Sequence, residues 1–580
     1  MADAQPSRPN GSARPDPDAE GQALIEHGLA AHRAGDLARA GAIYTQVLQL
    51  KPHDAAKRGN AFHLLALIAH TQGDNEHALE LLECALDEAP DEANFYHTCG
   101  VVLRAQGRDD DAVGYYARAL EIDPERALSH TALGNVLKAK GRFENAEAHQ
   151  RRAIEIEPGF AEGWSNLGLT YKDWGRGDQA IRCFQKAVAL AGDHPELHYN
   201  LGNALLATDE VGGAVASLKS ALALNPGHVR ARANLGIALK EDGHLTEAVA
   251  SLRDALLLDP GSADIHWNLG LALLLGGEFE EGWREYEWRR MIPEIGVRQF
   301  DRPSWDGSLF KGKTLLVHAE QGLGDSLQFI RYAALAKERG GVVKFESPKP
   351  LARILAGCSS IDRIIPRGEP IGDFDIHIPL LSLPMIFATG PATVPAEIPY
   401  LSPDPDLVAH WGERLERDGN FRIGICWQGN PSYKADARRS VPLEHFAPLG
   451  TVEGVSLYSL QKEFGTKQLA AFGAEHGIID LGPELDEDHG AFMDSLAVIK
   501  HLDLVITSDT AMPHLAGAVG CEVWMALPHV PDWRWGMAGE TTPWYPTMRF
   551  YRQHRAGDWG GVFDAIKCAL EDRLRNRHGG

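Results

Sequence analysis

One period governs the first half of the chain. Pro90, Pro124, Pro158, Pro226 and Pro260 lie on a single 34-residue lattice, with Gly192 in the slot where a proline would fall. Ala78, Ala112, Ala146, Ala180, Ala214 and Ala248 form a second lattice of the same period. Gly100, Gly134, Gly168, Gly202, Gly236 and Gly270 form a third. A fourth holds Gly73, Gly107, Gly141, Gly175, Gly243 and Gly277, with Asp209 as the exception. An earlier unit, out of step by four residues, carries Gly28, Gly35, Ala40 and Pro52. A repeat of this length is one supersecondary unit that buries its apolar face only against its neighbours, so this half folds as a stacked array.

Each lattice has a physical reading. The glycine at 100, 134 and onward, with the alanine, lets the two helices of a unit approach closely. The glycine at 73, 107 and onward supplies a left-handed turn between them. The proline ends the second helix. Trp164, Tyr171 and Phe184 fill the remaining space. The pattern resembles the tetratricopeptide repeat, with eight units over residues 21–294. In the last unit Gly282 replaces the small alanine and GWREYEWRR runs on with bulky residues, as in a capping unit docked onto the next domain. Arrays of this kind hold extended peptides or partner helices. Asn166, Asn200, Asn234 and Asn268 also stand 34 apart, on the first helix of units five to eight. A row of amides, each both donor and acceptor, could grip a peptide backbone without reading its side chains. The competing reading is that Asn-Leu-Gly is simply a common first-helix sequence of the repeat.

After about residue 297 the period is gone, and β-branched runs alternate with helical stretches, as in parallel sheets with crossover helices. The expected strands of a first lobe, 297–400, are 314–319, 342–347, 361–366 and 374–379. Residues 401–420 read as a polar linker with a helix. A second lobe, 421–580, shows strands at 422–427, 455–461, 478–481, 502–508 and 522–527 and a final helix near 561–577. Two doubly wound lobes suit a ligand bound at the carboxyl ends of both sheets. Composition narrows the partners. The net charge of −23 excludes the basic field that non-specific nucleic-acid binding needs. No apolar run reaches the roughly 18 residues of a membrane helix. Residues 1–20 read as a disordered tail, not a secretory signal. The scattered cysteines, with no CxxC pair, fit a reducing cytoplasm and neither a disulfide framework nor a zinc site.

Two segments carry chemistry. A phosphate-loop pattern at 307–314, GSLFKGKT, is set aside because that loop needs a strand before it and a helix after it, and here a strand comes after it. In HAEQGLGDSLQFIRY (318–332) a strand ends, Gly322 and Gly324 turn the chain, and Asp325 opens a helix facing the cleft; the bland alternative is that Asp325 is only a helix cap. In ITSDTAMPHLAGAVG (506–520) a buried strand ends in Ser508 and Asp509, and a helix begins near Thr510 with His514 in its first turn. Free amides at a positive helix end suit a diphosphate. The alternative is an ordinary strand–helix unit with a cap.

These segments, over about residues 312–570, resemble the heptosyltransferase family of GT-B glycosyltransferases. The resemblance implies a GT-B fold, with Asp325 of Gly324–Asp325 as catalytic base and Asp509, Thr510, His514, Leu515 and Ala516 as the nucleotide-lobe motif. The family's basic residue before a Pro-Glu helix start falls on Arg439, an Arg where many members have Lys, with Lys434 and Arg438 beside it. Gln461 and Lys462 are further candidates for the diphosphate. A repeat array joined to such a domain is similar in organisation to O-linked N-acetylglucosamine transferases and to bacterial protein glycosyltransferases, including ones that modify flagellin. PDWRWG (531–536) and TPWYPTMRFYRQ (542–553) look typical of repeat-containing heptosyltransferase-like proteins. The expectation is therefore an α-solenoid followed by an α/β GT-B domain. It would be an inverting, metal-independent transferase with a nucleotide-sugar as co-substrate, no cofactor, and a protein acceptor, flagellin-like for instance, held by the asparagine row. The alternatives are an inert scaffold and a transferase acting on a lipid or glycan.

Overall fold

The computed structural model describes residues 16–415 and 418–578, which fall into two compact units divided between His228 and Val229. In the first unit helices come in consecutive pairs: Pro17–Arg33 with Leu37–Leu50, Ala55–Thr71 with Asn75–Glu88, Ala93–Ala105 with Asp109–Ile122, Ala127–Ala139 with Phe143–Ile156, Ala161–Asp173 with Gly177–Leu190, and Pro195–Ala207 with Val211–Leu224. The lattices explain the pairing. Ala78, Ala112, Ala146, Ala180 and Ala214 are fully buried where the helices of a pair cross. The turn glycines take a left-handed backbone, as at Gly141 with φ 71°, and Asp209 adopts the same conformation with φ 69°. Aspartates start the second helices of the first two pairs: Asp36 accepts from Arg39 N at 3.1 Å and Asp74 from His77 N at 3.2 Å.

The expected tail is shorter than 1–20. The first helix starts at Pro17, a residue whose fixed φ suits the first helical position, and Asp16 caps it by accepting from Asp18 N at 3.2 Å. Residues 1–15 lie outside the described residues.

The second unit opens with two more helix pairs, Val229–Glu241 with Leu245–Leu258 and Ala263–Leu275 with Phe279–Tyr286, followed by a 3-10 turn at Glu287–Met291. The last two repeats thus belong to the same compact unit as the α/β region. The first sheet holds β1 (Thr314–His318), β2 (Val342–Ser347), β3 (Arg363–Pro366) and β4 (Ile376–Pro379) in the order β3-β2-β1-β4, all parallel. The second holds β5 (Phe421–Cys426), β6 (Val455–Ser459), β7 (Ile478–Asp480), β8 (Leu504–Thr507), β9 (Val523–Leu527), β10 (Thr541–Thr542) and β11 (Tyr545–Arg552), in the order β10-β11-β9-β8-β5-β6-β7. All its neighbours are parallel except β10 with β11. The chain is therefore a helical repeat array followed by an α/β region with parallel sheets.

One full strand was not expected, and two local readings stand. β11 is a full strand with no counterpart among the expected ones; its Pro546 precedes the register paired with β9, which starts at Met548 opposite Val523, so no ladder bond to β9 is lost. The helix expected within 401–420 is present. This helix, Pro405–Arg414, buries Trp411, whose Nε1 donates to Asp494 Oδ1 at 2.8 Å; residues 416–417 lie outside the described residues. The phosphate-loop pattern ends at Thr314, the first residue of β1, so it sits before the strand and not after it.

Two histidines of the first unit give a prediction. His63 Nε2 lies 2.8 Å from Thr98 Oγ1, and His97 Nδ1 lies 3.0 Å from Ser129 Oγ. Burial, with Arg126 nearby, lowers both imidazoles from 6.5 to about 4. Between those values the unfolded chain binds protons that the folded chain does not. Stability therefore falls as pH drops from about 6.5 toward 4, by on the order of 1–3 kcal/mol per histidine. Thermal midpoints measured across that window should decline for the natural protein, and less steeply for His97→Gln.

Candidate functional site

Asp325 stands at the carboxyl end of β1, in the helix Leu323–Phe329. The turn before it is not made by the glycines. Gln321 takes the left-handed backbone, with φ 58°, while Gly322 has φ −82°. Gly322 and Gly324 are needed for close approach instead. A Cβ on Gly322 would lie 3.1 Å from Asp325 Oδ2, and one on Gly324 would lie 3.1 Å from the His514 ring and 3.6 Å from Ala511 Cα. The start of the first lobe's helix therefore touches the start of the second lobe's helix Met512–Ala518.

The cap reading of Asp325 accounts for one of its oxygens. Gly322 N donates to Oδ2 at 2.7 Å. The other oxygen, Oδ1, pairs with the Arg534 guanidinium. Arg534 comes from the 3-10 turn Trp533–Trp535 between β9 and β10, and its charge is shared: Nη1 donates to Asp532 Oδ1 at 2.7 Å and Nε to Gln328 Oε1 at 2.7 Å. Its guanidinium also lies 4.4 Å from the centre of the Trp533 ring. Asp532 and Asp325 hold the guanidinium charged against the cost of burial. For Asp325, burial wins over Arg534, and the carboxyl is pushed above its usual range.

From the second lobe β8 delivers Ser508, Asp509 and Thr510. Asp509 is 6% exposed, and its carboxyl is pushed up to about 6 by burial and by Asp532, against the pull of Arg439. Ser508 Oγ is buried without a hydrogen-bond partner among the described residues. Thr510 Oγ1 accepts from Met512 N at 3.2 Å, so this hydroxyl starts the helix. His514 Nδ1 lies 3.0 Å from Tyr545 OH, and its ring stacks on Trp535 at 5.3 Å. Burial, then Arg534, keeps its imidazole neutral, well below the usual histidine range.

The basic candidates separate. Arg439 is the one whose charge reaches both Asp509 and His514; its Nε donates to Asp436 Oδ1 at 3.2 Å and its guanidinium lies 4.7 Å from the Tyr433 ring centre. Beside it a groove of about 340 Å³ is lined by Gln428, Tyr433, Lys434, Asp436 and Gln468 among others. Arg438 pairs instead with Glu241 of the seventh repeat. Gln461 is committed to the backbone: Oε1 accepts from Trp427 N at 2.9 Å and Gln428 N at 3.0 Å, and Nε2 donates to Gln428 O at 2.8 Å. That clamp shapes the turn after β5 and leaves no amide group for a diphosphate. Lys462 Nζ donates to Glu487 Oε1 at 2.6 Å and to Leu485 O. The geometry therefore gathers Gly322, Gly324, Asp325, Arg439, Ser508, Asp509, Thr510 and His514, and leaves Gln461 and Lys462 in structural contacts.

Sequence reasoning missed Asp532 and Arg534. The signal was present in PDWRWG, where a guanidinium sits between two tryptophans just after a carboxylate, a composition unlike a solvated loop. The four asparagines are half-buried. In the first unit Asn166 Nδ2 has no partner among the described residues and Asn200 Nδ2 lies 3.5 Å from Ser165 Oγ; in the second Asn268 Nδ2 donates to Asp264 O of its own helix at 2.8 Å.

The tetratricopeptide repeat family matches residues 63–127, 100–161, 165–229 and 205–266. The helical array consists of tetratricopeptide repeats. Over 325 residues the chain is 30% identical to Protein FlbA of Caulobacter vibrioides, covering 51% of this chain and 53% of that protein. The chain thus spans about half the length of this curated relative. Among solved structures it is similar to PilF of Pseudomonas aeruginosa, at 22% identity and a TM-score of 0.34 over 36% of this chain and 96% of that one. It is also similar to YrrB, described as a tetratricopeptide-repeat protein with an unusual peptide-binding site, at 21% identity and a TM-score of 0.28 over 32% of this chain and 95% of that one. No described helix is long and apolar enough to cross a membrane.

Removing one member of a buried charge cluster leaves the others unpaired. Arg534→Met should therefore destabilise the fold by about 3–5 kcal/mol, read as a lower urea midpoint at unchanged slope. A loss below about 1 kcal/mol would mean that water screens the cluster as it does a surface pair.

Proposed function

We propose that the chain is a glycosyltransferase of GT-B architecture that moves a sugar from a nucleotide-sugar to an acceptor hydroxyl, inverting the anomeric centre. The observation that carries this reading is the meeting of Asp325 with the Asp509–His514 segment at the approach of Gly324 to the His514 ring. A carboxylate at the carboxyl end of one parallel sheet there faces a helix start at the carboxyl end of another, the place where such folds bind ligands.

The chemistry comes from the groups themselves. Each Asp325 oxygen has two lone pairs, and the bonds from Gly322 N–H and Arg534 use one on each. A remaining lone pair takes the proton of the acceptor hydroxyl as its oxygen bonds to the anomeric carbon, and the raised pKa of the carboxyl makes it a stronger base. The bond from that carbon to the phosphate oxygen breaks, and the nucleoside diphosphate leaves with its electron pair. Arg439 and the amides at the start of Met512–Ala518 stabilise the charge that develops. Ser508 Oγ, buried and without a partner among the described residues, is a hydroxyl available to the donor.

Coexpression with candidate acceptors followed by intact-mass measurement tests transfer directly. Asp325→Asn should abolish the mass gain while calorimetry shows UDP, GDP or ADP bound as tightly as before. Arg439→Ala should weaken that binding about 10-fold, more at low salt than at high, because the contact is charge-assisted. An Asp325→Asn protein with normal turnover would end the base assignment.

The acceptor is proposed to be a protein whose backbone lies along the asparagine row. The amide of Asn166, without a partner among the described residues, supports this. One amide contributes only about 0.5–1.5 kcal/mol, so four must be lost together for a plain effect. Changing Asn166, Asn200, Asn234 and Asn268 to Ala should cripple modification of the protein acceptor and leave nucleotide binding intact. Circular dichroism checks that the helices persist. Wild-type modification by a well-folded quadruple variant would assign the row to the repeat fold alone.

A further inference from the structure

We propose that Tyr286, on the last repeat helix, is a positioning residue for Asp325, holding the loop 319–325 in the strained shape from which that carboxylate is presented. The proposal rests on the role given to Asp325 above.

The loop is strained at one residue. Gln321 has φ 58°, a left-handed backbone that an L-residue with an unbranched polar side chain rarely adopts. Such a conformation persists only where the surroundings impose it. Here the surroundings come from the repeat. Gln321 Nε2 donates to Tyr286 OH at 2.9 Å, and Tyr286 OH lies 3.3 Å from Gln321 Oε1. The next residue, Gly322, gives its N–H to Asp325 Oδ2. A shift of Gln321 therefore moves the bond that orients the candidate base.

Tyr286 occupies the slot held by Tyr44, Tyr116, Gln150, Phe184, Leu218 and Leu252 in earlier units, each packed against the glycine of its partner helix. Phe184, Leu218 and Leu252 fill the slot without a hydroxyl, so close packing does not require one; at Tyr286 the hydroxyl has Gln321 as its partner. The rest of the terminal repeat grips the same loop and its opposite number. Arg289, fully buried, spends all five N–H donors: on both Glu320 oxygens at 3.2 and 2.7 Å, on Glu287 Oε1 at 2.6 Å, on Ser382 Oγ at 2.8 Å and on Tyr286 O at 3.2 Å. Trp283 meets Trp533 edge-on at 5.2 Å, one residue before Arg534. Both sides of the Asp325–Arg534 pair are thus backed by one helix end.

The test uses the full chain. Tyr286→Phe removes one oxygen from a buried ring and preserves the packing. Turnover is read as nucleotide release from UDP-N-acetylglucosamine, GDP-mannose and ADP-heptose, and loop order as hydrogen exchange in peptides spanning 319–327. The expected result is faster exchange in that loop, kcat lower by about ten-fold, and a donor KM within about two-fold of the natural protein, because the diphosphate groups lie on the other lobe. Adding Gln321→Gly to Tyr286→Phe should recover much of the lost kcat, since glycine takes the left-handed backbone without support. A purely packing role for Tyr286 would not be rescued by a glycine at position 321. Unchanged loop exchange or unchanged kcat in Tyr286→Phe overturns the proposal. If the natural protein releases nucleotide from none of the three donors, the functional reading loses its support, while the exchange measurement still decides whether Tyr286 holds the loop.

Discussion

A guanidinium taken out of water must find its counter-charges inside the protein, and Arg534 finds them at two places in the chain. Asp532 is two residues away, but Asp325 is 209 residues away, on the other lobe. The pair can form only when both sheets are complete and their carboxyl ends meet. Several other features serve that meeting. Gly324 is bare so that the His514 ring can come close. His514 stays neutral because burial and Arg534 both disfavour its charge, and so adds no second cation beside the guanidinium. Trp533 and Trp535 line the turn that carries Arg534 into the interior. The tryptophans supply apolar cover and the carboxylates supply charge, which together make a buried arginine tolerable.

The terminal repeat extends the same logic. A helix array buries each unit against the next, so its last unit ends with an open apolar face unless something covers it. Here the α/β region covers it: Trp283 is 2% exposed and its Nε1 donates to Thr389 O at 2.8 Å. Arg289 lies at the centre of this contact with every donor satisfied, which turns a buried charge from a liability into a fixed point. The bulky run after Gly282 supplies the docking surface, while Gly282 itself serves the close packing inside the repeat: a Cβ on it would lie 2.9 Å from Leu274 of the partner helix.

What the sequence made legible was whatever repeats or alternates. Four lattices of one period located the helix pairs, because each helix crossing needs a small residue at the same place in every unit. The alternation of β-branched runs with helical stretches located nine of the eleven strands. Single, non-periodic contacts were not legible. Nothing local to Gln321 marks it as the left-handed residue, since a polar side chain beside glycines reads as an ordinary turn; its conformation is set by a tyrosine 35 residues earlier. Gln461 read as a ligand for a phosphate because it comes after a strand, yet the nearer need was the backbone of the turn after β5. Asp325 read correctly as a residue at a helix start, but its second oxygen is engaged by a partner that no local pattern announces.

The charge count at the junction shows how the two lobes share one electrostatic problem. Three carboxylates, Asp325, Asp509 and Asp532, stand near two guanidiniums, Arg439 and Arg534. Asp436 adds a further carboxylate against Arg439, so negative charge is in excess inside a chain that is already acidic overall. Burial and Asp532 push the Asp509 carboxyl up to about 6, so its charge is disfavoured where it stands. Arg439 is what keeps it from rising further. An anion placed beside Arg439 would compete for that guanidinium and weaken its hold on Asp509, and the carboxyl would then bind a proton more readily. Such an anion and a proton would enter together, and the charge of the cluster would change by less than the charge of the anion. If the proposed function holds, an anion entering this acidic surround would meet a carboxylate whose charge burial already disfavours, a use for Asp509 that a simple helix cap would not have.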